Sequence, residues 1–125
     1  MIGLFKTIFN GVAEQIEVQE AARRLEAGAL MLDVREPAEY TYSHVPSAML
    51  LSLGRIRTFG SAAVDKLGLP PETTDILLIC ESGMRSKIAQ EILSSDMRRR
   101  YINVAGGMAA WIAQGLPLFQ KQLTR

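Results

Sequence analysis

Cysteine occurs once in the 125-residue chain, at position 80, within the stretch CESGMRS. An apolar run (residues 76–79) precedes it, and a helix-like run from Arg85 to Leu93 follows. A thiol placed where a strand ends and a helix begins lies among N–H groups that can turn inward and cradle an anion. Such a cradle favours the thiolate, which is the nucleophile. Gly83 permits positive φ or close backbone approach. Arg85 adds a fixed charge and a planar donor fork, expected to favour both the thiolate and an anionic reactant. Ser86 can donate from its hydroxyl. The set suits a cysteine that attacks an anionic or electrophilic centre and carries a covalent intermediate. A lone cysteine at a strand end is also commonly a small buried hydrophobe, and an arginine at a helix start is commonly just solvated. The joint occurrence of Cys80, Gly83, Arg85 and Ser86 favours the nucleophile.

The elements that would position this loop alternate in type. Residues 18–27 read as an amphipathic helix, with Val18, Ala21, Ala22 and Leu25 on one face and Gly28 as its stop. Residues 29–34 form an apolar run of strand length, as for a strand covered on both faces. Pro37 opens a helix over 37–42. A short strand is expected near 48–51, a helix over 55–67 weakened at Gly60, and a loop over 68–75. Then come the 76–80 strand, a helix over 85–94, a strand over 101–104, and a Gly-rich turn with a short helix over 106–115. This order predicts α/β architecture with a largely parallel sheet. Ligands in such sheets sit beyond the carboxyl ends of strands, where Cys80 falls.

Composition bounds the rest. The length fits one domain able to bury its own core. A net charge of +1 gives no argument for a nucleic-acid partner, and none is expected. One cysteine and one histidine leave no internal disulfide and no thiolate or His-rich metal set, so no metal or cofactor is expected. A free thiol suits a reducing compartment, and the cytoplasm is the expected one. No apolar run reaches transmembrane length. Ile2, Phe5, Phe9, Val12 and Ile16 recur at helical spacing. They predict a short helix or arm packed on the domain or on a neighbouring subunit, a homodimer through residues 1–15 being one form. A weak membrane-surface anchor is the other reading, poorly supported by a single Lys6.

The loop resembles the Cys-x-x-Gly-x-Arg-Ser loop of the rhodanese-like sulfurtransferases. LDVREPAEY (32–40), SHVPSA (43–48) and AGGMAAW (105–111) resemble three further segments of that family, in the family's order. The likeness runs from about Ile16 to Pro117. It implies a three-layer α/β/α domain around a mostly parallel five-stranded sheet, over residues 16–118, between an N-terminal arm (1–15) and a tail (119–125). It also implies a double displacement. Cys80 takes a sulfane sulfur from thiosulfate or a persulfide donor and passes it to a thiol, cyanide or a protein cysteine, a sulfur-carrier protein among the possible partners. Glu81, Ser82, Gly83, Met84, Arg85 and Ser86 would form the substrate loop. Related cell-cycle phosphatases place one more residue between Cys and Arg; the four here favour a single sulfur over phosphate. The rival reading is a non-catalytic interaction or regulatory module. Ser43 and Ser47 depart from the family by standing where glycines are usual.

Other residues are expected near the site in supporting roles. Asp33 and Arg35 should form a buried pair at a strand end, with Glu39 joining Arg35 across a turn. His44 is expected to be a hydrogen-bonded structural residue rather than a proton shuttle. Trp111 should be core, with Met108 and Ile112 beside it. Gly106 and Gly107 should allow close approach to the loop. Arg98–Arg100 is either a solvated face or a docking patch for an acidic sulfur carrier. Glu81, if it faces the site, should disfavour a dianionic donor.

Overall fold

A computed structural model of the chain describes residues 13–122. The elements run β1 (Gln15–Ile16), α1 (Val18–Glu26), β2 (Leu30–Asp33), α2 (Pro37–Tyr42), β3 (Ser43–His44), β4 (Met49–Leu50) and α3 (Leu53–Phe59). They continue as α4 (Ser61–Asp65), β5 (Asp75–Ile79), α5 (Met84–Leu93), β6 (Arg100–Val104), α6 (Gly107–Ala113) and β7 (Phe119–Gln120). The central sheet has the order β1-β6-β5-β2-β4, and every pairing in it is parallel. No helix among the described residues is long and apolar enough to cross a membrane.

Strand alternation divides the core between two faces. Leu32, Ile76, Leu78 and Tyr101 point to one side, where Leu53, Ile56, Val64, Ala89 and Leu93 of α3, α4 and α5 cover them. Met31, Leu77, Ile79, Ile102 and Val104 point to the other, against Val18 and Ala21 of α1 and Met108 and Trp111 of α6. Burial on both faces explains why these strands read as continuous apolar runs. The result is three layers, helix–sheet–helix.

The helix expected over 55–67 is two helices. Gly60 adopts φ +58 and ψ −142 between them, so its backbone turns the chain instead of merely weakening it. Phe119 and Gln120, placed in a tail by the sequence reading, pair antiparallel with His44 and Ser43. Ile16, grouped with the amphipathic arm, belongs to β1 and lies beside Val104. Ile2, Phe5, Phe9 and Val12 fall outside the described residues. Ser43 has extended angles (φ −160, ψ 145), and no non-glycine residue described has positive φ. The two serines in place of glycines therefore cost the backbone nothing. Ile112, expected in the core beside Trp111, faces solvent at 50% exposure, because it stands one position along the helix from the buried tryptophan.

Candidate active site

Cys80 directly follows β5, and Asp33 ends the neighbouring β2 opposite Ile79. The two strand ends therefore present the thiol and the carboxylate at the same sheet edge, where the loops into helices begin. Only 1% of Cys80 is exposed. The Gly83 N–H donates to Sγ over 3.1 Å, and the Ser86 hydroxyl lies 3.3 Å from it. Gly83 has φ +99, a left-handed conformation at the head of α5, which non-glycine residues resist. This angle turns the loop back over the sulfur.

Burial pushes the Cys80 thiol up, since a charge in an apolar surrounding is costly. The Ser86 hydroxyl and the N–H groups of Ser86, Gly83 and Ser82 outweigh that and bring it below its ordinary value. The thiolate is thus favoured chiefly by dipoles, with a neighbouring cation in a lesser part. Arg85, expected to supply that cation, directs both terminal nitrogens to the two Glu39 oxygens, at 2.7 and 2.9 Å. Its guanidinium is stabilised first by Glu39, with the Cys80 charge a smaller contribution. The Arg85 hydrogen bond holds the Glu39 carboxyl at about 2.

Glu39 therefore does not join Arg35, as the sequence reading had it. Arg35 is buried and gives Nε and Nη2 to Asp33 at 3.0 and 2.8 Å, with Nη2 also reaching the Ser43 carbonyl at 2.6 Å. The expected Asp33–Arg35 pair is present. Its one remaining nitrogen, Nη1, lies 3.8 Å from Glu81. Glu81 itself is half exposed at the loop surface, and Ser82 and Met84 are exposed beside it. Geometry explains the difference for Glu39. It stands at the third position of α2, where its carboxylate also accepts the Glu36 N–H and caps the helix. From there it faces the start of α5.

Two groups brace the loop from outside. The Met108 N–H donates to the Cys80 carbonyl (2.8 Å) and the Ala109 N–H to the Glu81 carbonyl (3.0 Å). These free amides of the first turn of α6 hold the loop's carbonyls outward, so its N–H groups face the sulfur. Gly107 makes the approach possible: a Cβ there would overlap the Cys80 carbonyl oxygen and the Glu81 backbone. Gly106 adopts φ +77 just before it. Asn103 is the second brace. It is buried on β6, accepts from the Ser86 hydroxyl and lies 3.4 Å from the Gly83 carbonyl. Sequence reading took 101–104 only as an apolar strand. A carboxamide in a run otherwise buried and apolar was the signal available there.

His44 packs flat on Tyr40 at 3.8 Å and against Phe119 at 4.7 Å. Its Nδ1 donates to the Tyr40 carbonyl at 2.7 Å, so the ring ties α2 to the β3–β7 ribbon. Trp111 is buried and donates to the Pro117 carbonyl at 2.7 Å. The Arg98–Arg100 run is matched by carboxylates. Arg98 and Arg99 bond Asp65 and Asp96, and Arg100 bonds Asp75. That leaves little unmatched positive charge there for an acidic partner.

A buried thiol in an amide-lined loop beyond a parallel sheet's carboxyl edge defines a class of cysteine-centred α/β domain. Within that class the chain belongs to the rhodanese-like domain family, whose model matches residues 17–114. It is 28% identical to a sulfurtransferase of Allochromatium vinosum, with 86% of this chain and 95% of that protein covered. It is 33% identical to the putative sulfur carrier protein YrkF of Bacillus subtilis, over 65% of this chain and 40% of that one. The rhodanese-related protein of Thermoplasma volcanium superposes with a TM-score of 0.70 at 25% identity, covering 86% of this chain and 99% of that one.

Proposed function

We propose that the protein is a sulfurtransferase that carries a sulfane sulfur as a Cys80 persulfide. The observation that carries this reading is the Cys80 sulfur held at 3.1 Å by the Gly83 N–H, with its thiol lowered by loop dipoles despite burial. The Cys80 thiolate attacks the outer sulfur of a donor, thiosulfate or a persulfide. The sulfur–sulfur bond of the donor breaks, and its leaving group departs with the electron pair. The same N–H groups then face the charged terminal sulfur of the persulfide. An outside nucleophile, cyanide or a thiol, attacks that sulfur and regenerates the thiolate. No second cysteine exists in the chain, so discharge goes to another molecule, and a sulfur-carrier protein suits that role. A sulfurtransferase among the relatives supports the reading. The chain's free thiol suits a reducing compartment such as the cytoplasm.

The test is the intact mass after exposure to excess sulfane donor. One sulfur adds about 32 Da, the mass of the covalent intermediate expected on the single thiol. Cyanide should remove it, and Cys80→Ser should never acquire it while remaining folded. Absence of the adduct with every donor tried would favour the rival, a rhodanese-fold interaction module without catalysis.

A further inference from the structure

Two cations stand at the site, Arg35 and Arg85, and neither has a free fork. Arg85 gives both terminal nitrogens to Glu39. Arg35 is buried on Asp33 and the Ser43 carbonyl, and its last nitrogen faces Glu81. Three carboxylates thus surround two guanidiniums, before the thiolate is counted. The Glu39 carboxyl, held at about 2, remains ionised throughout neutral pH. A reactant bearing two negative charges must approach these two guanidiniums with their forks already turned to carboxylates, and like charges repel at close range. Beside the loop, Met84 (68% exposed) and Ile88 stand one turn apart on α5, an apolar flank that offers a dianion nothing.

From these contacts we infer that Glu39 is a donor-specificity residue. By occupying the Arg85 fork it turns the site against dianionic sulfur donors and toward donors with one negative charge or none, hydropersulfides foremost. This rests on the sulfur-transfer reading above. Glu39 acts through Arg85 and does not touch the reacting sulfur, so its effect should appear in choice between donors rather than in the chemistry common to them.

Two donors of nearly the same shape isolate charge. Thiosulfate is a dianion; methanethiosulfonate replaces one charged oxygen with a methyl group and is a monoanion. With thiosulfate, the Cys80 thiolate takes the outer sulfur and sulfite leaves with the bonding pair. With methanethiosulfonate the identical step releases methanesulfinate. The measurement is kcat/KM for each, with cyanide as acceptor, and the ratio between them. The parent should prefer the monoanion. Glu39→Gln keeps the shape and the Glu36 cap but removes the charge, and should raise the thiosulfate-to-methanethiosulfonate ratio about tenfold at low salt and less at high salt. Adding Arg85→Gln to that variant should cancel the gain. A loss of fold would lower both rates together and leave the ratio in place. An unchanged ratio, with sulfur still transferred, overturns the role of Glu39. Failure of both donors to load sulfur on the parent overturns the sulfur-transfer reading instead.

Discussion

The Ser86 hydroxyl lies 3.3 Å from the Cys80 sulfur and also reaches the Asn103 side chain. A hydroxyl has one proton to give. If it goes to the carboxamide oxygen of Asn103, the sulfur loses a donor. If the carboxamide instead presents its nitrogen, Ser86 accepts from Asn103 and donates to the thiolate, at the cost of the long Nδ2 contact to the Gly83 carbonyl. Ionisation of Cys80 and the orientation of Asn103 are therefore coupled. Ser86→Ala should raise the thiol, because it removes a hydrogen bond that favours the charged form. Asn103→Asp should raise it further, since a carboxylate only accepts and adds a negative charge. The midpoint of iodoacetamide alkylation against pH reads both; a midpoint that stays in place in both variants would remove this pair from the site.

Arg85→Ala should slow persulfide formation by roughly tenfold to a thousandfold, the range for losing one charged stabiliser. Part of that loss should come from leaving Glu39 unpaired beside the loop. The double variant with Glu39→Ala should accordingly recover part of the rate, a coupling measured by the four-protein cycle. Strict additivity would mean that the two side chains act independently despite their contact.

Gly107→Ala should cost about 2–4 kcal/mol, combining a left-handed φ of +55 with backbone overlap that cannot relax cheaply. Because the overlap falls on Cys80 and Glu81, alkylation should slow even where the protein remains folded. Urea unfolding and thiol reactivity together separate the two effects.

Asp96 links stability to acid. Its carboxyl is buried, which raises it, but the Tyr101 hydroxyl and then Arg98 and Arg99 bring it down to about 2 from the ordinary 3.8. A folded-state value below the unfolded one stabilises above the unfolded value and is lost as pH falls through the folded one. About 2 kcal/mol should therefore disappear between about pH 4 and about pH 2. Asp96→Asn should flatten that part of the urea-midpoint profile while lowering stability at neutral pH. An acid limb as steep in Asp96→Asn as in the parent would assign it to other carboxylates.

Local signals carried most of the fold into the sequence. The 76–80 run, Gly83, and the Gly106–Gly107 pair each state their conformation within a few residues, and the loop around Cys80 could be assembled from them. What stayed hidden depends on partners distant in the chain. Nothing near Glu39 indicates that it meets a guanidinium 46 positions away; the short-range choice, Arg35, was the natural one and is taken instead by Asp33. β7 is two residues long and exposed, so it has no apolar pattern, and only its pairing with β3 defines it. Asn103 stands out as the one carboxamide in an apolar strand, but its role depends on Ser86, 17 positions away, which nothing near it indicates.

The pairing of Gln15 with Asn103 has a consequence in time. β5 and β6 can close across α5 alone, whereas β1, which precedes β6 by more than eighty positions, must wait for it. Distant pairings of this kind are slow to form. Asn103 then takes the Glu14 carbonyl on its own N–H while its side chain meets Ser86, so arrival of β6 completes the sheet edge and the thiol's surroundings in one event. Until residues 103–109 have emerged, Cys80 lacks the Asn103 contact and the Met108 and Ala109 amides that shape its loop. The surroundings that favour the thiolate thus come into being only once this whole domain has closed around Cys80.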